Sequence, residues 1–254
     1  MKLGIITDIH EDILSLREAF RILEKKGCNE VACLGDITGF ELPFYNYRTE
    51  RSAHDCLALI RANCSIIVAG NHDLYSLREL PNHQGGFNFP AGWYDLDYEE
   101  RKILSQNKVW LYEADSLSSL LGRSDKEFLA SLPEFAVMET GQQKILFSHA
   151  LFPDPTGSLM WGIEDIRSFH RHFQVLKKYN CSLGFSGHFH PGGFIKAGEF
   201  DYHTHGFGKA KADHEITQFI CPCIARSEKA NGVAIFDTRR NEIEVIQIRN
   251  RPNK

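Results

Sequence analysis

Seven side chains in this sequence could ligate a metal ion, and each follows a short apolar run. Asp8 and His10 follow Leu3–Ile6, Asp36 follows Val31–Leu34, and Asn71 follows Ile66–Ala69. His149 follows Ile145–Phe147, and His188 and His190 follow Cys181–Phe185. In Ser186-Gly187-His188-Phe189-His190 two imidazoles stand at i and i+2, which an extended chain points to one side. Asp8-x-His10 repeats that spacing. Two neutral histidines beside a glycine that permits a sharp turn make half of a transition-metal site. One such pair occurs by chance, so the weight rests on five blocks together. All the donors are oxygen or nitrogen, with no thiolate. That set suits Mn, Fe or Zn in a reactive centre better than a cysteine-built structural zinc knot. Seven donors are too many for one ion and fit two ions with positions left open, and the two oxygens of a carboxylate such as Asp36 can bridge them. Two cations roughly 3.5–4 Å apart form a clamp for in-line displacement at phosphorus.

Strands must carry these donors. Leu3–Ile6 reads as a first buried strand, and Glu11 to Lys26 as a helix with Ile13, Leu16, Phe20 and Leu23 on one face and Gly27 as its stop. Glu30–Leu34 reads as a second strand, which completes a βαβ unit with a parallel sheet. A helix over Ser52–Ala62 leads to a third strand at Ser65–Ala69. In open α/β sheets the functional crevice lies at the carboxyl ends of the strands, where the donors fall.

Further along, Ser124–Glu127 reads as a capping box before Phe128–Leu132, and Phe135–Glu139 with Lys144–Phe147 as a hairpin around Thr140-Gly141-Gln142. Ile163 to Leu176 marks an amphipathic helix. After His190, Gly193–Lys196, Glu215–Ile220, Gly232–Asp237 and Glu242–Ile248 resemble antiparallel strands. Without repeats or a linker, a single domain over 1–254 with an aromatic insertion around 74–122 is the simplest organisation.

Composition narrows the partners. The 254 residues carry a formal net charge of -4 and no basic block beyond Arg239-Arg240, which argues against extended nucleic-acid binding. The 7 cysteines are odd in number and scattered, as in reduced, mostly buried thiols of a cytoplasmic protein. Nothing resembles a signal peptide or a membrane span.

The series Asp8-x-His10, Gly35-Asp36, Gly70-Asn71-His72-Asp73, His149 and Gly187-His188-x-His190 resembles the calcineurin-like metallophosphoesterases over residues 3–190. The resemblance implies a four-layer α/β/β/α sandwich, two mixed sheets flanked by helices. It also implies two divalent or trivalent transition-metal ions, one held by Asp8, His10, Asp36 and His190, the other by Asp36, Asn71, His149 and His188. Asp36 and a hydroxide would bridge the ions, His72 would be the general acid, and Asp73 would position it. Gly35-Asp36 continues Ile37-Thr38-Gly39-Phe40 rather than the Asp-Arg-Gly of the family's protein Ser/Thr phosphatases, and the chain looks closer to the small bacterial-type phosphodiesterases. Where such proteins commonly carry Asn-Pro-Gly-Ser, Cys221-Pro222-Cys223 stands, and it reads as a packed turn. The function implied is hydrolysis of a small phosphomonoester or phosphodiester by direct attack of the bridging hydroxide. The alternatives are a non-catalytic scaffold of the same fold that binds a protein partner, and a nuclease or phosphodiesterase acting on small nucleotides.

His54, His83, His170, His172 and His214 read as solvated or core histidines, and His203-x-His205 as a polar loop. Residues 84–98, long and aromatic for a connection, read as partly structural with one edge at the site, where Phe87, Phe89 and Trp93 would tune substrate choice.

Overall fold

The computed structural model describes residues 1–141 and 143–248, so Gln142 of the expected hairpin turn lies outside the described residues. The first half of the chain runs β1 (Lys2–Ile6), α1 (Ile13–Lys26), β2 (Glu30–Cys33), β3 (Phe40–Glu41), α2 (Ala53–Asn63), β4 (Ile66–Ile67), α3 (Asn71–Leu77), α4 (Tyr98–Ser105), β5 (Ser116–Leu117) and α5 (Arg123–Ala130). The second half runs β6 (Phe135–Glu139), β7 (Lys144–Ser148), α6 (His170–Lys178), β8 (Leu183–Ser186), β9 (Phe194–Ala197), β10 (Tyr202–His205), β11 (Gly208–Lys211), β12 (Thr217–Ile220), β13 (Gly232–Asp237) and β14 (Glu242–Gln247).

Two six-stranded sheets form, in the orders β11-β14-β13-β1-β2-β4 and β10-β9-β12-β8-β7-β6. Both are mixed. β1, β2 and β4 run parallel, while β13 meets β1 antiparallel. In the second sheet β7, β8 and β12 run parallel. The alternation of side chains along each strand divides the core. Leu3 and Ile5 of β1 point inward and join Ile145, Phe147, Phe185 and Phe219 of the facing sheet. Ile6 points outward, against Leu16 of α1, Leu57 of α2 and Leu129 of α5. On the far side Leu146 and Ile220 pack under Phe173 and Leu176 of α6. The result is the expected four-layer α/β/β/α sandwich. Between the sheets Phe185 stacks on Phe147 and Phe219 at 5.9 and 5.7 Å. Each such buried ring contributes roughly 1.5–3 kcal/mol through burial. Among the described residues no helix is long and apolar enough to cross a membrane.

The ends of α1 follow the sequence. Asp12 accepts the Ser15 N–H at 3.1 Å as N-cap, and Gly27 closes the helix in the left-handed conformation at φ 71. Other expectations need correction. The cap of α5 is Gly122, whose N–H donates to Asp125 at 3.0 Å, so Ser124 lies inside the helix. Helix at Ile163 is delayed: Ile166–Phe169 is a 3₁₀ turn capped by Asp165, and α6 begins at His170. The tail is not purely antiparallel, because β12 returns beside β8 in parallel after the β9–β10 hairpin. His203-x-His205 lies in β10 rather than in a loop. That strand is the edge of its sheet, where polar side chains guard against further pairing.

Candidate active site

The seven donors converge where the two sheets present their strand ends. Asp8 and His10 leave β1, Asp36 follows β2, Asn71 opens α3 after β4, His149 follows β7, and His188 and His190 follow β8. Five of them hold left-handed backbone: Asp8 at φ 55, His10 at 45, Asp36 at 50, His188 at 67 and His190 at 44. A non-glycine residue there costs on the order of 1–3 kcal/mol and persists only when its surroundings fix it. The hydrogen bonds do so. The Ile9 and His10 N–H groups both donate to the Asp36 carbonyl, at 2.8 and 3.0 Å, and the Asp8 N–H donates to the Gly35 carbonyl at 3.0 Å. Tyr47 adds a hydroxyl bond to the His10 carbonyl at 3.0 Å. From the tail, the Ala225 N–H donates to the Asp8 carbonyl at 3.0 Å, and the buried thiol of Cys223 donates to the same oxygen at 3.0 Å.

Ligand atoms gather into two sets, Asp8, His10 and His190, and Asp36, His149 and His188, each within 4.8 Å of one another. A third grouping within that limit, His10, Asp36 and His72, joins them. His190 Nε2 lies 3.0 Å from Asp8 Oδ1, and His149 Nε2 lies 3.1 Å from Asp36 Oδ2. The Nδ1–H of His10 donates to the Gly39 carbonyl at 2.9 Å, and that of His149 to the Leu34 carbonyl at 2.8 Å. Each bond fixes the tautomer that leaves Nε2 as a free lone pair, the usual outer support of a metal-bound imidazole. The Asn71 amide donates to the Tyr112 hydroxyl at 2.5 Å, which turns its oxygen the other way.

These residues fit bound metal cations. His10 Nε2, His149 Nε2 and Asn71 Oδ1 are buried without a hydrogen-bond partner. Such groups cost free energy unless something satisfies them, and all three are ligand atoms. Burial and the neighbouring His72 push His10 down to about 3, and burial with the nearby His149 pushes His188 to about 3, so both are neutral as ligands must be. Burial works against charge on His149 too, yet Asp36 and Asp8 outweigh it and push that imidazole up to about 9. Two buried carboxylates therefore draw positive charge into the centre, which a bound cation would supply in place of the His149 proton.

His72 and Asp73 take different places. His72 opens on the same centre, its ring 4.3 Å from that of Tyr112 and its Nε2 3.8 Å from Glu41. Asp73 accepts from the N–H groups of Ile37, Thr38 and Gly70 at 3.0, 3.0 and 3.1 Å, and from the Thr38 hydroxyl at 3.1 Å. It thus ties the Asp36 loop to the start of α3 and positions His72 through the backbone rather than through the ring. Its neighbour Asp36 accepts the His72 N–H at 2.9 Å. Glu41 and Tyr112 carry no motif, and only their distant chain positions hide them. The sequence signal for both is weak: aromatic, irregular stretches that touch nothing predictable.

Close approach demands glycine at Gly70 and Gly187, among others. A Cβ on Gly70 would collide with Asp36 Oδ1, and one on Gly187 would collide with Thr7 Oγ1 and stand 2.5 Å from Asp8 Oδ2. Gly187→Ala is expected to destabilise the fold by about 1–3 kcal/mol, the range for overpacking, and to lower metal content. Urea denaturation with elemental analysis checks both; an unchanged midpoint and metal content would show that the turn yields freely.

A cavity of about 420 Å³ opens on the centre, with His10, Asp36, Asn71, His72, His188 and His190 in its floor. Its aromatic lining is Phe44, Tyr45, Trp110 and Tyr112. Phe87, Phe89 and Trp93 do not line it, which corrects their expected part in substrate choice, while the partly structural reading of residues 84–98 fits. Their rings pack on one another edge to face, 4.8 to 6.0 Å apart, and Trp93 is 2% exposed. Three apolar rings remove more surface from water against each other than along an open cleft. Phe89 and Trp93 reach the site only from behind, sharing a small cavity with Asn71 and Tyr112. Trp93→Ala is expected to cost about 3–5 kcal/mol of stability, as for other buried aromatic truncations. A denaturation midpoint equal to that of wild type would contradict it. The core reading of His172 holds: it accepts the Phe152 N–H at 3.1 Å and faces Gln218 Oε1 at 2.8 Å.

A two-sheet sandwich whose strand ends pool aspartate, histidine and asparagine donors defines a metallophosphoesterase fold. Residues 1–210 match the calcineurin-like phosphoesterase superfamily domain, and the chain belongs to that family. An uncharacterized protein of Methanocaldococcus jannaschii is 24% identical over 251 residues, 97% of this chain and 86% of that protein. A crystal structure of a metallophosphoesterase from Sphaerobacter thermophilus is similar at a TM-score of 0.67 and 18% identity, covering 99% of this chain and 89% of that one. A hypothetical protein from Pyrococcus horikoshii is similar at 0.60 and 14% identity, over 98% and 88%. These likenesses show a shared fold.

Proposed function

We propose that the protein is a two-metal phosphoesterase that hydrolyses a small phosphomonoester or phosphodiester by direct attack of water. The observation that carries this reading is the pair of donor sets, one around Asp8 and one around Asp36, with buried ligand atoms left unpartnered beside an open cavity. Asp8, His10, Asp36 and His190 would hold one ion, and Asp36, Asn71, His149 and His188 the other. Cations held there, Mn, Fe or Zn, supply a water acidic enough to act near neutral pH and offset charge at phosphorus.

The chain's own residues do the rest. The carbonyls of Gly39 and Leu34 hold His10 and His149 in the ligating tautomer. Tyr112 orients the Asn71 amide, so that the oxygen and not the nitrogen faces the centre. His72, at the N-terminus of α3, gives a proton to the leaving oxygen, and Glu41 stands beside its ring to hold it. Lys229 lines the cavity and donates to the His190 carbonyl at 3.1 Å, where it can also meet a non-bridging phosphoryl oxygen. The complete set of donors and His72 favours an enzyme over a scaffold of the same fold.

A screen tests the reading. Chelator-treated protein, reloaded in turn with Mn, Fe and Zn, is offered phosphomonoesters, phosphodiesters and nucleotides. Metal-dependent hydrolysis of at least one class is expected. Metal binding without turnover of any of them would leave the fold as a scaffold.

A further inference from the structure

The cavity over the metal ligands has two unlike halves. Its floor is imidazole and carboxylate, while Phe44 and Trp110 stand at its exposed rim together with Pro43, Glu228 and Lys229. Phe44 is 59% exposed and Trp110 39% exposed, values that set them apart from the buried Tyr45 and Tyr112 beneath. Large exposed rings bordering a pocket are a signature of ligand contact rather than of folding. We infer that Phe44 and Trp110 form a subsite for a planar aromatic group carried by the phosphoester, so that the substrate is a nucleotide-like or aryl ester rather than an alkyl or sugar phosphate. This inference rests on the phosphoesterase reading above.

The two rings come from separate segments, and each is held by its backbone. Phe44 lies in the turn after β3, where its own N–H and that of Tyr45 both donate to the Glu41 carbonyl at 3.1 Å. That same Glu41 stands beside His72. Trp110 lies in the stretch before β5, which is tied across the molecule by its N–H to the Ser158 carbonyl at 3.2 Å. The Met160 N–H to the Lys108 carbonyl at 2.8 Å adds a second tie, and Val109 pairs with Leu159 in a bridge. Two residues on, Tyr112 contacts His72 and Asn71. Each aromatic wall therefore begins at a residue that touches the reacting centre and rises to the cavity mouth. Walls held this way lose little freedom when a ring enters between them, which favours stacking of a rigid planar group. A flexible alkyl chain gains no such contact.

Phe44 and Trp110 are both partly exposed, so truncating them spares the core. The test compares matched substrates on the Mn-loaded protein, adenosine monophosphate against ribose phosphate and phenyl phosphate against ethyl phosphate. The first pair asks for a nucleobase and the second for any aryl ring. Wild type is expected to favour the aromatic member of at least one pair. Phe44→Ala and Trp110→Ala should each reduce that preference, as a ratio of kcat/KM, by about 5- to 150-fold, the worth of one aromatic stack. As a readout independent of turnover, adenosine should quench tryptophan fluorescence in wild type and not in Trp110→Ala. Equal losses on both members of each pair, or no preference in wild type, would overturn the subsite. If no ester is hydrolysed yet adenosine still quenches Trp110, the phosphoesterase reading fails and the aromatic subsite stands.

Discussion

His72→Ala slows turnover by roughly 10²–10⁴-fold, the usual worth of a general acid, while the metal content stays close to that of wild type. The loss concentrates in kcat and shrinks for a nitrophenolate leaving group, which departs with little need of a proton. Geometry sets this expectation apart from a ligand role. His72 lies within ligand distance of His10 and Asp36, so a share in metal binding is the competing role. Yet its Nε2 turns to Glu41 at 3.8 Å, and its ring leans on Tyr112 at the cavity side. Steady-state kinetics and elemental analysis on the same preparation separate the two. A variant stripped of metal, or equally slow on good and poor leaving groups, would make His72 a ligand.

Asp36→Asn removes metal from both positions and lowers turnover by about 10³-fold or more, since charge stabilisation by the cations is worth several kcal/mol. Asp36 is 2% exposed, and its Oδ2 lies 3.1 Å from His149 and 3.9 Å from His10. It thus touches members of both donor sets, as Asp8 also does through His149 at 3.8 Å. Burial resists its charge, but His149 and His72 hold its carboxyl well below the usual range, so it is ionised throughout the working range of pH. The amide keeps the shape and loses the charge and the second anionic oxygen. Loss of one ion with the other retained, measured by elemental analysis, would show that the two sites do not share this residue.

What the sequence revealed and what it hid follow from the range of the forces involved. The donors were legible because each is local: a buried strand is an apolar run, and the residue at its end is read directly. The helices α1 and α2 were legible for the same reason, through period and caps. Short two-residue strands such as β3 and β5 were not, because their pairing across Phe40 and Leu117 joins residues far apart in sequence. Adjacency in sequence suggests that Asp73 positions His72 but not the route, which runs through the backbone N–H groups of Ile37, Thr38 and Gly70. Length, composition and nearness in sequence to Asn71 point to Phe87, Phe89 and Trp93 as the aromatic wall. Composition cannot tell rings that pack on each other from rings that line a cleft. Phe44 and Trp110, which do line it, lie in stretches with no period at all.

In the two-metal reading proposed above, turnover needs both cations in one shared site. Its most direct test is a titration of chelator-treated wild type with Mn, following bound metal and hydrolysis of the best ester in the same samples. Saturation is expected at about two ions per chain, with turnover negligible until the second is bound. Saturation at one ion, or hydrolysis that survives the chelator undiminished, would contradict it.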